Sequence, residues 1–214
     1  MATKMRRGIR FFQWVSLFLT LVSSAILITI NSTWLYRLFI DREHLTQFTT
    51  LSKTELLAQY KELLAYLNFP WIQTLHLADF PMSESGMKHF VDVKQLFLVN
   101  HLVFLITLIP TIWFIYGLVA HHEQWRMIRP MQVALFVPIV VGFVMVAGFD
   151  RFFITFHEVL FRNADWVFNP ATDPIINVLP EIFFFACFGL FFCCLELFFF
   201  LFYLYGRWSL RQTK

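Results

Sequence analysis

The chain has 214 residues, of which 58% are hydrophobic, 20% aromatic and only 14% charged, with 29 Phe. A soluble domain averages about 45–50% apolar and about 25% charged residues, so this composition excludes an ordinary soluble protein and describes an integral membrane one. The net charge of +3 forms no basic patch beyond short flanks, which argues against a nucleic-acid partner.

Residues 1–10 hold Lys4, Arg6, Arg7 and Arg10, and 11–30 are then free of charge. That run is long enough to cross about 30 Å of hydrocarbon as a helix. It is too long for a signal peptide and no A-x-A cleavage site follows, so it reads as a retained first span. Residues 31–94 carry mixed charge and no spanning run. Within them Ser52 and Glu55 have the spacing of a capping box. Leu56, Leu57, Tyr60, Leu63, Leu64 and Leu67 follow at helical intervals, which predicts an amphipathic helix over 53–67. Asn68, Phe69 and Pro70 end it. Trp71, Leu75, Leu77 and Phe80 suit the headgroup boundary, and 81–86 read as a loop. A helix is expected to start in 87–94 and run into the second span, 95–120, with Pro110 inside it.

Residues 121–130 form a tight connector in which His121 and His122 are loop residues. The third span is 131–149 and the fourth 182–206; between them lies a polar segment, 150–181. Residues 207–214 are a basic tail. Glu196 interrupts the fourth span and is expected to face the bundle or to be protonated. Cys187, Cys193 and Cys194 all fall in that span, with neither a disulfide framework nor a CxxC metal pattern.

Orientation follows from the Lys/Arg bias of short loops. With both termini inside, the inner segments hold Lys4, Arg6, Arg7, Arg10, Arg126, Arg129, Arg207, Arg211 and Lys214. The outer segments are about three times as long, hold a similar number of basic residues and carry nearly all the acids. The expected fold is all-α: four transmembrane helices, both termini inside, and two extracytoplasmic segments, 31–94 and 150–181. We read 1–214 as one integral membrane domain. The sequence carries no signal for an oligomeric state.

Segment 150–181 is costly beside a membrane unless its polar groups have a task. If 150–162 is helical, Asp150, Ile154, His157 and Phe161 share a face. His157, followed by Glu158, can serve as a general base near neutral pH; the plainer reading is an interfacial His without a role. His89 and Asp92 are spaced i, i+3, so the carboxylate could orient the imidazole, unless Asp92 pairs instead with Lys88 at i, i+4. The topology puts His89 and His157 at the same membrane depth. Asn163, Asp165, Trp166, Asn169 and Asp173 can hold the loop. Asp173 before Pro174 has the pattern of an N-cap. Glu181 opens the fourth span and is also available as a partner for His157. No HExxH or other cofactor motif is present, and no cofactor is expected. Two alternatives use the same residues differently: a metal-dependent lipid hydrolase, or a non-enzymatic membrane chaperone or subunit.

The stretch FHEVLFRNADWVFNPATDPIINVLPE (156–181), the Phe-rich span after it and KHFVDVK (88–94) resemble the four-span bacterial lipoprotein intramolecular transacylases, the Lit family. The resemblance covers nearly the whole chain, with these two blocks its specific parts. It implies a Gram-positive plasma membrane and a site facing outward. The implied substrates are diacylglyceryl-modified lipoproteins in the membrane lipid, and the implied reaction moves the sn-2 acyl chain of S-diacylglyceryl-cysteine to the α-amine of the same Cys, giving the lyso-form. His157 is then expected as base and acid. His89 is the second catalytic group, and Asp92, Glu158, Asn163, Trp166, Asp173 and Glu181 are orienting or supporting residues. Trp71, Phe80 and the 53–67 helix are expected to wall the lipid.

Overall fold

The computed structural model describes residues 2–212, with side chains from 8 to 211. The side chains of Lys4, Arg6, Arg7 and Lys214, used above for orientation, lie outside the described residues. The described chain is all-helical. Its order is α1 (Ala2–Ile30), α2 (Thr33–Arg42), α3 (Lys53–Asn68), α4 (Glu84–Ala120), α5 (Ile128–Ala147), α6 (Phe149–Leu160) and α7 (Glu181–Gln212), with single 3₁₀ turns at Leu45–Phe48, Gln124–Met127 and Pro174–Asn177. Four segments are long and apolar enough to cross a membrane: Gly8–Ile30, Glu84–Ala120, Gln124–Ala147 and Glu181–Arg211.

Local sequence explains the helix ends. Ser52 and Glu55 form the expected capping box on α3, with Ser52 N–H donating to Glu55 Oε2 at 2.8 Å. α4 ends on His122 in the left-handed region (φ 56°), with Glu123 N–H reaching back to Leu118 O at 2.7 Å. That pattern satisfies carbonyls the helix would otherwise orphan. The third span stops at Ala147 rather than 149, because Gly148 is extended and α6 starts beyond it. α2 had no counterpart in the sequence reading: Thr33–Arg42 is short and its charges sit inside an otherwise apolar decamer.

The chain forms two compact units. One takes described residues of Met1–Leu27, Asn100–Ala147 and Gly189–Lys214. Its core holds Leu17, Leu21, Phe114, Met127, Met131, Leu195 and Phe199. Trp14 meets Phe114 edge to face at 5.0 Å. Thr20 Oγ1 sits 2.9 Å from both Thr107 Oγ1 and Thr111 Oγ1, stitching α1 to α4. Its outer surface is apolar: Val133, Phe136 and Phe143 are all largely exposed, which is stable only against lipid.

The second unit is Ile28–Val99 with Gly148–Phe188. The apolar face of α3 is buried here: Leu56 and Leu63 line one small core cavity with Tyr36, Leu77 and Val178. Tyr36 stacks on Tyr60 at 3.9 Å and donates its O–H to Val178 O at 2.9 Å. Phe80, expected in a lipid-facing wall, belongs to this core instead, at 4% exposure. Its neighbours Leu75 and Leu77 are buried as well, so the segment packs inward. Trp71 does stay exposed, stacked on Phe69 at 4.9 Å. Lys94 pins this stretch by donating to Ile72 O, with its ammonium 4.2 Å from the Tyr66 ring.

Candidate active site

The second unit brings the two histidines together. His89 lies in the second turn of α4 and His157 in the last turn of α6. Both are buried, and their ring centres are 6.0 Å apart. Phe161 closes against both, at 4.9 Å from His89 and 5.8 Å from His157. Phe168 stands edge-on to His89 at 5.5 Å, and Trp166 stacks on His157 at 4.8 Å. Two imidazoles are thus held in an aromatic box.

Their hydrogen bonding differs. His157 Nδ1 is 2.8 Å from Phe153 O, one turn back along α6. A carbonyl only accepts, so Nδ1 carries the proton and Nε2 keeps its lone pair. Burial lowers the His157 pKa below its ordinary value, partly opposed by that carbonyl. Burial thus favours the neutral form of His157, with the Nε2 lone pair available to accept a proton. His89 Nδ1 is buried and has no hydrogen-bond partner. A buried polar atom left unpaired costs about 1–3 kcal/mol, which a folded chain tolerates where a ligand can complete it.

The expected Asp92–His89 hydrogen bond is not made. Asp92 accepts instead from Asn163 Nδ2 at 2.9 Å. Lys88 pairs with Asp165 at 2.9 Å rather than with Asp92. Asn163 Oδ1 accepts from Asp165 N–H, and Asn163 O accepts from the Trp166 indole N–H, each at 3.1 Å. These contacts run from α4 into loop 161–168 and hold the Trp166 ring over His157. Helix spacing alone favoured partners on α4. The loop won because it supplies an amide and a carboxylate that would otherwise be half-buried without partners.

Asp173 is the anchor of a second tie. It is 2% exposed and accepts from Ser83 N–H at 2.7 Å, from Ser83 Oγ at 2.8 Å and from Thr172 Oγ1 at 2.7 Å. Ser83 Oγ in turn accepts from Gly86 N–H at 3.0 Å, capping α4. Burial alone would raise the Asp173 carboxyl; the hydrogen bonds from Thr172 and Ser83 outweigh it and hold the group below its ordinary range. Asp173 makes no side-chain cap on its own 3₁₀ turn. Its N-cap signature was legible, but the helix it serves is the one carrying His89. Gly86 has to be glycine, since a Cβ there would overlap Asp173 Oδ1. Ser83 falls in the stretch expected as loop, although a serine three residues ahead of Gly86 and an apolar run is itself a cap pattern.

Two expected supports lie elsewhere. Glu158 is exposed. Glu181 is exposed, Asp150 is the charged group that acts on it, and none of its described contacts reaches His157. Among the described residues, no group of three His, Cys, Asp or Glu is arranged to hold a metal ion.

The sequence matches the family model for the lipoprotein intramolecular transacylase Lit over residues 11–184. The chain belongs to the Lit family. Its fold matches the in meso structure of the membrane-integral lipoprotein intramolecular transacylase Lit from Bacillus cereus with a TM-score of 0.92. The two are 26% identical, and the match covers 99% of this chain and 98% of that one. Two structures of the same Bacillus cereus protein, with one histidine replaced by arginine or by alanine, match with TM-scores of 0.83 at 26% identity. Those matches cover 99% of this chain and 96% and 95% of the alanine and arginine variants. No curated protein sequence matches the chain. As a Lit member it is a multi-pass membrane enzyme, an acyltransferase that works within a lipoprotein.

Proposed function

We propose that His157 and His89 carry the intramolecular transfer, moving the sn-2 acyl chain of S-diacylglyceryl-cysteine to the α-amine of the same Cys. The observation that carries this reading is the Nδ1 contact of His157 with Phe153 O at 2.8 Å, which leaves Nε2 as an acceptor on a ring whose centre is 6.0 Å from that of a second buried imidazole. His157 Nε2 takes a proton from the α-ammonium. The freed amine attacks the ester carbonyl carbon and a tetrahedral oxyanion forms. A His89 N–H stabilises that charge, the kind of donor worth about 2.7–4 kcal/mol in acyl transfer. The C–O bond to glycerol then breaks, the proton held by His157 goes to the departing alkoxide, and the nitrogen loses its second proton to solvent as the amide forms, so one proton is released overall. The products are an N-acyl amide and a free sn-2 hydroxyl. Amine and ester belong to one molecule, so alignment alone can supply about 7–11 kcal/mol of the barrier.

We place the site on the extracytoplasmic face of the plasma membrane. Arg10, Arg126, Arg129, Arg207 and Arg211 lie on the flanks that the positive-inside bias assigns to the cytoplasm. The test is expression in a host that makes diacylglyceryl lipoproteins, with mass spectrometry of their N-terminal peptides. N-acyl, mono-O-acyl Cys is expected. Unchanged diacylglyceryl Cys, with the enzyme present in the membrane, would sink the proposal.

A further inference from the structure

The first unit holds a hollow that the chemistry above does not use. It measures about 580 Å³, within the range of about 300–1,000 Å³ typical of small-molecule sites. Phe18 and Val22 of α1 form one wall, Val133 and Val137 of α5 another, and Leu195 and Phe199 of α7 the floor. The floor is core, at 6% and 5% exposure, whereas Val133 and Val137 are 68% and 59% exposed, so the groove opens sideways to lipid. Pro138 and the small Ala134 line it too, and their modest bulk leaves the hollow unfilled.

One end of this apolar groove is closed by Arg129. The side chain is exposed, and no carboxylate pairs with it among the described residues. Nearby acid is already committed, since Glu123 takes Arg126 at 2.8 Å and Arg10 at 3.8 Å. Gly206 of α7 packs on Gln124 and Ile128, which brings Arg207 to the same end of the unit. A hydrocarbon slot headed by unneutralised guanidinium charge is complementary to an anionic amphiphile. Guanidinium matches phosphate through parallel N–H donors, and basic pockets beside spans bind lipid headgroups.

We propose that this groove is a specific site for one anionic phospholipid of the leaflet at the Arg-rich end. One acyl chain lies between α1, α5 and α7, and the phosphate sits on Arg129. The site is independent of the histidines and of the reaction assigned to them.

The test uses the full-length protein in detergent, with phosphatidylglycerol and phosphatidylcholine of identical chains as probes. Thermal unfolding and native mass spectrometry read binding. Phosphatidylglycerol is expected to raise the Tm more than phosphatidylcholine and to remain bound as one copy. Arg129→Gln should weaken its retention about tenfold, the loss expected for one charge-assisted phosphate contact. Arg129→Lys should keep much of the preference. Arg211→Gln, at an exposed arginine outside the groove, should leave it unchanged. Val137→Trp, which fills the slot at an exposed position, should weaken both lipids. Equal effects of the two lipids on the unaltered protein would overturn the site, as would equal losses in Arg129→Gln and Arg211→Gln. If Val137→Trp leaves retention unchanged, the chain does not lie in the groove and the proposal fails.

Discussion

The two units handle buried polarity in different ways. In the first, a cluster of small buried hydroxyls satisfies itself: Thr20 bonds Thr107, Thr111 and Ser16 O within 2.9 Å. Such groups join helices in lipid, where no water competes. In the second, Asp92, Asn163, Asp165 and Asp173 tie one helix to loops, yet His89 on that helix keeps an unpaired Nδ1. A satisfied network rigidifies; a network with one deliberate gap positions something for a ligand. Glu196, in the first unit, also has a buried oxygen without a partner, but no ring contact among the described residues brings an imidazole to it as His157 is brought to His89. The comparison therefore says where truncating a polar group removes chemistry and where it removes only stability.

The largest effect is expected at His157. His157→Ala should lower turnover by about 10²–10⁴-fold, the usual contribution of a general base, with the protein still abundant in the membrane. Quantitative mass spectrometry of lipoprotein N-termini against enzyme level measures it. The pH profile sharpens the assignment. The folded-state pKa of His157 is lowered, so activity should rise with pH through an inflection below about 6.5 and then level off. Stability follows the same sign: the unfolded chain binds the proton more readily, so stability is full above the unfolded pKa and falls as pH drops toward the folded value. The acidic inflection should vanish from the residual activity of His157→Ala; its persistence there would remove His157 as the base. His89→Ala is next, with a loss of about 10²–10³-fold if it donates to the oxyanion. A His89→Gln variant, which restores an N–H donor, should recover part of that loss. If both variants behave alike, His89 has a packing role.

How far the sequence carried this comparison depends on which forces were local. Four spans and the α3 capping box were legible, because charge-free runs and cap residues act over a few neighbours. The pairing of His89 with His157 could be inferred only as a shared depth. The partners of Asp92, Lys88 and Asp173 were misread for one reason. Helical spacing suggested contacts within α4 or at the nearest helix start, whereas Asn163, Asp165 and Ser83 reach them across long sequence separations. Phe80 was misread in the same way. An aromatic near a membrane boundary looks interfacial in sequence, and only packing against the α3 face shows it as core. α2 escaped notice because ten residues with three charges give no clear helical period.

A moderate effect is expected from the tie between Asp173 and the cap of α4. Asp173→Asn keeps the shape but gives up one of the acceptor oxygens shared by Ser83 and Thr172. The start of the helix carrying His89 should loosen, and kcat should fall about tenfold with KM nearly unchanged, as expected when a reacting group is misplaced. Gly86→Ala forces a Cβ onto Asp173 Oδ1 and should lower kcat and Tm together. The double variant should cost less than the sum of the two, because both break one tie. Full additivity would mean that Asp173 and Gly86 act separately.

The smallest effect is expected where the first unit is cut. Thr111→Val removes one hydroxyl from the Thr20 cluster while keeping its volume. Thr20 retains Thr107 and Ser16 O as partners, so little is left unpaired. Interhelical polar contacts in membranes average about 0.6 kcal/mol, a Tm change of a degree or two for a protein of this size. Activity should stay within about twofold, because nothing in that cluster lies in the unit that holds the imidazoles. A tenfold loss of activity with little change in Tm would mean that the hydroxyl cluster is coupled to the chemistry. The division between a stitched core and a site with a gap would then have to be abandoned, and α4, the one helix carrying both Thr111 and His89, would be the first place to look for the link.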